Sequence, residues 1–247
     1  MKHLFLLLSS LGILTLLSCN KEDPKEGTLT IHFKAQYDGQ TLPTFETKPF
    51  ENGQRIEFTN LAMYVADLQL IQNATMRHLD DIELVDLNYD NLTAAEEGYT
   101  LKVSNIPAGS YTGISFGIGV PPDLNQKTPS DFSSSSPLSK TGFYWVAWGS
   151  YIFSKTEGRL DTIGSGPLDL GFAMHTGSDA LYQTGQSNFP ISIEDGKETN
   201  LDILLDYKKL LMGVDIKAMP QNHTPSDTAQ INKIVNNYGS SLTLLLH

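Results

Sequence analysis

Gly142 to Phe153 carries both tryptophans of the chain inside one run of aromatic and β-branched side chains, and few local structures accept such a run. These residue types fit a pleated, covered surface better than a helix, so the run reads as a central strand. Strand alternation then puts Phe143, Trp145, Ala147, Tyr151 and Phe153 on one side and Tyr144, Val146, Trp148 and Ile152 on the other. In this reading the two indoles point in opposite directions. Trp145 joins the core, Trp148 lies under a loop or in a site, and Gly149 is where a bulge would shift the later positions.

The first residues give an address. Lys2 and His3 precede an apolar run from Leu4 to Leu17 that is too short for a membrane span, and Leu16-Leu17-Ser18-Cys19 follows. The pattern resembles a bacterial lipoprotein signal over residues 1–18. That resemblance implies that Cys19, the only cysteine, is the lipidated first residue of the mature chain. The protein is then expected in the cell envelope, lipid-anchored to the outer membrane on its periplasmic or surface face. One cysteine excludes an internal disulfide.

Residues 19–27 are polar and charged and read as a tether, leaving 28–247 as one domain long enough to bury a core. Against 28 acidic residues stand 17 basic ones, one fewer when Lys2 leaves with the signal, giving a net charge near -12. Such a surface repels a phosphate backbone, which argues against nucleic acid and not against metal cations.

Thr28–Tyr37 alternates and ends at the turn Asp38-Gly39, so it is a first strand. Further strands are expected over 55–58, 62–71, 82–87, 168–175, 189–193 and 200–205. Tyr99–Val103 and Tyr111–Val120 look like a hairpin, and 88–98 and 121–141 look like loops. A helix is expected after Thr224-Pro225-Ser226-Asp227, which offers an N-cap and a proline at the first position. Ile231, Ile234, Val235 and Tyr238 form its apolar stripe, Gly239 ends it, and 242–246 is a last strand. Many strands separated by turns, with a single short C-terminal helix, give an all-β fold class: an antiparallel β-sandwich.

Few residues carry chemistry. Gly113-Ile114-Ser115-Phe116-Gly117 has the spacing of a nucleophile elbow, but that motif needs a helix after the serine, and Val120-Pro121-Pro122 follows instead. A non-enzymatic role is the expectation. Asp86, Asn88, Asp90 and Glu97 lack the spacing of the helix-loop-helix calcium site. Among the histidines, His78 lies in a polar run and His32 lies on the polar face of the first strand. His175 ends an apolar strand, and His223 precedes the helix cap, where the dipole disfavours imidazolium and keeps the metal-binding neutral form. Two imidazoles beside an electron-rich aromatic suit a soft ion such as copper(I) better than calcium or magnesium. Tyr144, Trp148 and Tyr151 also allow a second reading, a glycan-stacking platform on a surface lipoprotein.

Four stretches then fall in a familiar order. Gly109-Ser110-Tyr111 comes with Phe116-Gly117-Ile118-Gly119-Val120 and Asn125; Trp145-Val146-Ala147-Trp148 comes with Tyr151-Ile152-Phe153 and Glu157-Gly158. His175-Thr176-Gly177 follows, and His223 precedes a helix with Asn236. Together they resemble the MbnP-like family of methanobactin-associated and copper-repressible copper-binding proteins. The resemblance implies a β-sandwich that holds copper(I) through histidines, here His175 and His223 with His32 as a further candidate. It also implies that a tryptophan is oxidised to kynurenine in some members by a separate di-haem partner enzyme. Of the two indoles, the face assignment makes Trp148 the expected precursor and Trp145 the alternative. Gly149-Ser150-Tyr151 reverses the more usual Ser-Gly-Tyr order, and Ala35-Gln36 stands where some relatives carry a histidine.

Overall fold

The computed structural model describes residues 25–222 and 228–247. The signal, Cys19, most of the tether and His223 lie outside the described residues. In chain order, the first half runs β1 (Glu26–Tyr37), β2 (Gln40–Thr41), β3 (Thr47–Pro49), β4 (Arg55–Gln72), β5 (Thr75–Asp86), α1 (Leu92–Glu97), β6 (Tyr99–Pro107), β7 (Gly109–Tyr111), β8 (Gly113–Ile118) and α2 (Pro122–Asn125). After three short helical turns come β9 (Tyr144–Trp145), β10 (Ser150–Asp161), β11 (Leu170–Gly177), β12 (Gln183–Ser187), β13 (Ile191–Ile193) and β14 (Glu198–Asp206). The chain ends with α3 (Tyr207–Leu210), β15 (Gln221–Asn222), α4 (Thr228–Ser241) and β16 (Leu242–Leu246).

Two sheets face each other. The smaller has the order β16-β14-β1-β2, with β6 also on β1, and the larger has the order β12-β8-β4-β10-β11-β15. Alternation in β1 turns Leu29, Ile31 and Phe33 inward, and β4 answers with Ile56, Phe58, Met63 and Val65, all fully or almost fully buried. Phe58 sits at an aromatic junction, with ring centroids 6.0 Å from Tyr37, 5.5 Å from Tyr207 and 6.2 Å from Phe172. The expected stripe of α4 is present: Ile231, Ile234, Val235 and Tyr238 are buried in this core.

Several local expectations are corrected. The first strand begins at Glu26, two residues into the expected tether. The two strands expected over 55–71 are one, bent where the register slips between Leu68 and Gln69. The expected hairpin of residues 99–120 does not form, because β6 pairs with β1 in one sheet and β8 pairs with β4 in the other. Within the loop at 88–98, Asn91 caps a short helix by accepting from the Ala94 N–H. Gly239 does not end α4, which continues to Ser241. The sandwich is largely antiparallel, yet its central contact β1–β14 is parallel, as is β11–β15.

The larger sheet is covered on its second face as well. Tyr64, Tyr151 and Phe153 point away from the main core and pack with Val120 and Leu138, and Phe132 and Phe143 close over them. The Pro- and Ser-rich segment 121–141 is therefore a lid folded onto the sheet. Asn125 pins it: its Oδ1 accepts from the Tyr151 N–H at 2.8 Å and the Ser150 hydroxyl at 3.1 Å, and its Nδ2 donates to Asp179 at 2.7 Å.

Candidate histidine–tryptophan site

The tryptophan run is not one strand. After β9 the backbone closes a tight turn in which the N–H groups of Trp148 and Gly149 donate to the Trp145 carbonyl, both at 3.0 Å. Gly149 completes it with φ 59°, a conformation that glycine adopts without Cβ strain. Residues three apart in such a turn lie on the same side. The indoles of Trp145 and Trp148 stack, with centroids 4.8 Å apart and planes inclined by 6°. This corrects the expectation of opposite faces. It also removes Trp145 from the core, since both indoles are half-buried, while Val146 at the tip is 84% exposed.

The stack lies on the outer face of the larger sheet, beside β11. Alternation sends Phe172 and Met174 into the core and His175 to the other face, where it is only 6% exposed. Trp145 meets the His175 ring edge-on, with centroids 6.1 Å apart. Trp145, expected in the core, is thus the indole in ring contact with His175. Trp148 packs over Gly177, where a Cβ would come within 2.7 Å of the indole and 2.8 Å of the Tyr151 carbonyl oxygen. Thus the His-x-Gly sequence acts as one unit, His175 meeting the first indole and Gly177 making room for the second.

That close approach gives a prediction. Gly177→Ala is expected to displace Trp148 and cost about 1–3 kcal/mol by overpacking, visible as a changed tryptophan emission and near-ultraviolet circular dichroism. Gly171, on the same strand, has nothing within 4 Å of an added Cβ, so Gly171→Ala is the control and should leave both signals unchanged. Equal effects at both positions would count against the packing argument.

Glu157 is the residue that sequence reasoning missed. Its Oε1 lies 2.7 Å from His175 Nε2, in hydrogen-bond contact. The His175 hydrogen bond first, then Asn60 and Lys155, hold its carboxyl below the ordinary 4.5, against a burial that raises it. Glu157 had appeared only as part of a family marker. The only signal in the sequence was an isolated acid in the strand leading from the aromatic run; its reach to His175 shows only once β10 and β11 are paired. Lys155, opposite His175 in the ladder, turns toward the lid, donating to the Gly142 carbonyl at 2.8 Å and lying 4.3 Å from the Phe143 ring centroid.

The other candidates lie elsewhere. His32 is on the smaller sheet, where its ring contacts Thr100 Oγ1 at 3.1 Å and Asn200 Oδ1 at 3.4 Å. His78 is in β5 beside Asp81, at 3.1 Å, and its side chain is 55% exposed. Ser115 is a ladder residue opposite Gln69 and Gln186. The glycan platform does not assemble either: Tyr151 is fully buried, Tyr144 is inclined to it by 73°, and Trp148 has one face against Trp145. Among the described residues, no three His, Cys, Asp or Glu side chains gather to hold a metal ion.

Fold and site together define a two-sheet β-sandwich with a buried histidine and a stacked indole pair on one outer face. The chain belongs to the MbnP family, whose model matches residues 26–229. Among solved structures the fold is similar to MbnP from Methylosinus trichosporium, with a TM-score of 0.57 and 14% identity over 90% of this chain and 99% of that one. At this identity the likeness establishes the fold alone. No curated protein sequence matches the chain.

Proposed function

We propose that the protein is a non-enzymatic, copper-binding component of the bacterial cell envelope, its metal held by imidazole nitrogens of His175 and His223. Membership of the MbnP family and the likeness to a solved MbnP fit a methanobactin-associated, copper-related role. The observation that carries the reading is the setting of His175: nearly buried, held by Glu157 and flanked by the Trp145 ring. Strand β15 supplies the second support. Asn222 pairs in parallel register with Met174, and His223 is the next residue in the sequence.

The donor set fits copper(I) chemically. Imidazoles and an aromatic face are soft enough for it, whereas calcium and magnesium ask for several oxygens. When bound, copper would be held in reduced form in a half-enclosed setting. The chain's own residues orient one imidazole, shield it with indoles and keep the lid segment closed beside it. Oxidation of an indole to kynurenine belongs to this reading as the act of a separate di-haem partner enzyme. The ring contact makes Trp145 the residue whose oxidation would alter the site directly. The lipid anchor at Cys19 completes the proposal and places the site at the membrane surface.

The test is metal analysis of the purified mature chain after incubation with and without copper(I) under a reductant, followed by desalting. About one copper per chain is expected in the first arm. Copper at background level in both arms overturns the reading.

A further inference from the structure

A chain of hydrogen bonds leads away from His175 across the outer face of the larger sheet, and it has a direction. It starts at a group whose role is fixed, the backbone N–H of Leu61 in β4, which can only donate. That N–H donates to the side-chain oxygen of Asn88 at 2.7 Å. The amide of Asn88 is thereby oriented, and its Nδ2 donates to Asn60 Oδ1 at 3.0 Å and to Asp86 Oδ1 at 2.7 Å. With its oxygen occupied as acceptor, Asn60 presents its Nδ2 to the carboxylate of Glu157, to which it is hydrogen-bonded. Every step of the chain donates toward Glu157, and a carboxylate at the end of such a chain is an acceptor. His175 Nε2 at 2.7 Å from Glu157 must therefore be the N–H.

We infer that Asn88, Asn60 and Glu157 form a positioning relay that fixes the tautomer of His175, keeping the hydrogen on Nε2 and leaving the Nδ1 lone pair as the metal-binding atom. The inference rests on the proposed copper role for the identity of the ligand, but the tautomer itself does not depend on metal. Each link spans a different strand or loop: the segment after β5 carries Asn88, β4 carries Asn60, β10 carries Glu157 and β11 carries His175. The ladder register places these neighbours: Glu157 lies opposite Asn60 on one side and Ala173 on the other, two residues from His175. A register slip in the β10–β4 pairing follows immediately, between Glu157 and Gly158, before the ladder resumes to Asp161. The physical benefit is orientation. A metal-binding imidazole whose second nitrogen donates to a carboxylate keeps its ring plane and tautomer, and loss of such a partner typically costs about 10–100-fold in metal affinity.

A substitution of one atom separates this relay from mere structural support. In Glu157→Gln the side chain keeps one oxygen, and the Asn60 Nδ2 donor claims it. The new amide NH2 then faces His175 Nε2, which must turn into an acceptor. The hydrogen moves to Nδ1, the atom that copper would need. Adding Asn60→Ala to Glu157→Gln frees the amide to rotate, so the Nε2–H form should return at least in part.

The experiment is nitrogen-15 NMR of the ring nitrogens in the histidine-labelled, metal-free mature chain, read where the His175 ring is neutral. The expected results are Nε2–H in the native protein, Nδ1–H in Glu157→Gln and renewed Nε2–H in the double variant. The native protein showing Nδ1–H, or Glu157→Gln leaving the tautomer unchanged in a folded protein, would overturn the inference. The native measurement decides even if a variant fails to fold. Copper(I) affinity read on the same samples should fall about 10–100-fold in Glu157→Gln. Because the tautomer is read without metal, a protein that binds no copper but shows the predicted tautomers removes the copper reading and leaves the relay standing.

Discussion

Truncating Phe58 to alanine is expected to remove about 3–5 kcal/mol of stability, read as a lower urea midpoint at unchanged slope. Phe58 is fully buried and its ring is shared by three others: Tyr37 from β1, Phe172 from β11 and Tyr207 from α3. Those partners come from both sheets and from the turn that follows β14. No single element can close the cavity without moving another, so the cost belongs at the upper end for an aromatic deletion. A domain of this kind has about 5–15 kcal/mol in total, so the variant should fold only marginally. Val146→Ala is the comparison: with the side chain 84% exposed at the tip of the tryptophan turn, it should change stability by less than about 0.5 kcal/mol. A loss below about 1 kcal/mol at Phe58 would mean that the aromatic cluster repacks and does not tie the sheets together.

How far the sequence revealed this molecule depends on whether its patterns were local. β1 and the buried stripe of α4 were legible because alternation and the 3.6-residue period are set within one element. The parallel pairing of β1 with β14 was not, since partners about 170 residues apart, such as Thr28 and Glu198, leave no mark on local periodicity. The tryptophan turn failed for a different reason. Its residues have strong strand propensity, but Gly149 allows a left-handed closure that brings Trp145 and Trp148 together, and tertiary packing on Gly177 holds them there. The face argument for β10 failed because both faces are covered, Tyr151 and Phe153 lying under the lid. His175 was legible as the end of an apolar strand. Its partner Glu157 and the asparagines behind it were not, because a polar residue in a strand looks solvated until the neighbouring strands are known.

Replacing His175 with alanine is expected to lower copper(I) affinity by more than the roughly 10–100-fold lost when only an outer hydrogen-bond partner of a metal ligand is removed. His223→Ala should behave in the same way, and His32→Ala should leave affinity unchanged. The contrast follows from placement. His32 belongs to the smaller sheet and is engaged with Thr100 and Asn200, whereas His175 faces outward from the larger one, and β15 brings the chain opposite Met174 one residue before His223. His175→Ala has a stability cost of its own, because the Glu157 carboxylate loses its imidazole donor, worth about 1–3 kcal/mol for a buried partner and less for one that remains 28% exposed. Affinity must therefore be measured on variants whose unfolding transition is still cooperative, with a competing copper(I) chelator to cover the range. A native-like fold with unchanged affinity in His175→Ala would remove this histidine from the site. Loss of copper in His32→Ala alone would move the site to the smaller sheet, where Lys34, Asp202 and His247 form a separate polar cluster, with Lys34 Nζ and His247 Nε2 both within 3.0 Å of the Asp202 carboxylate, and would leave the Trp145 contact as packing without a ligand.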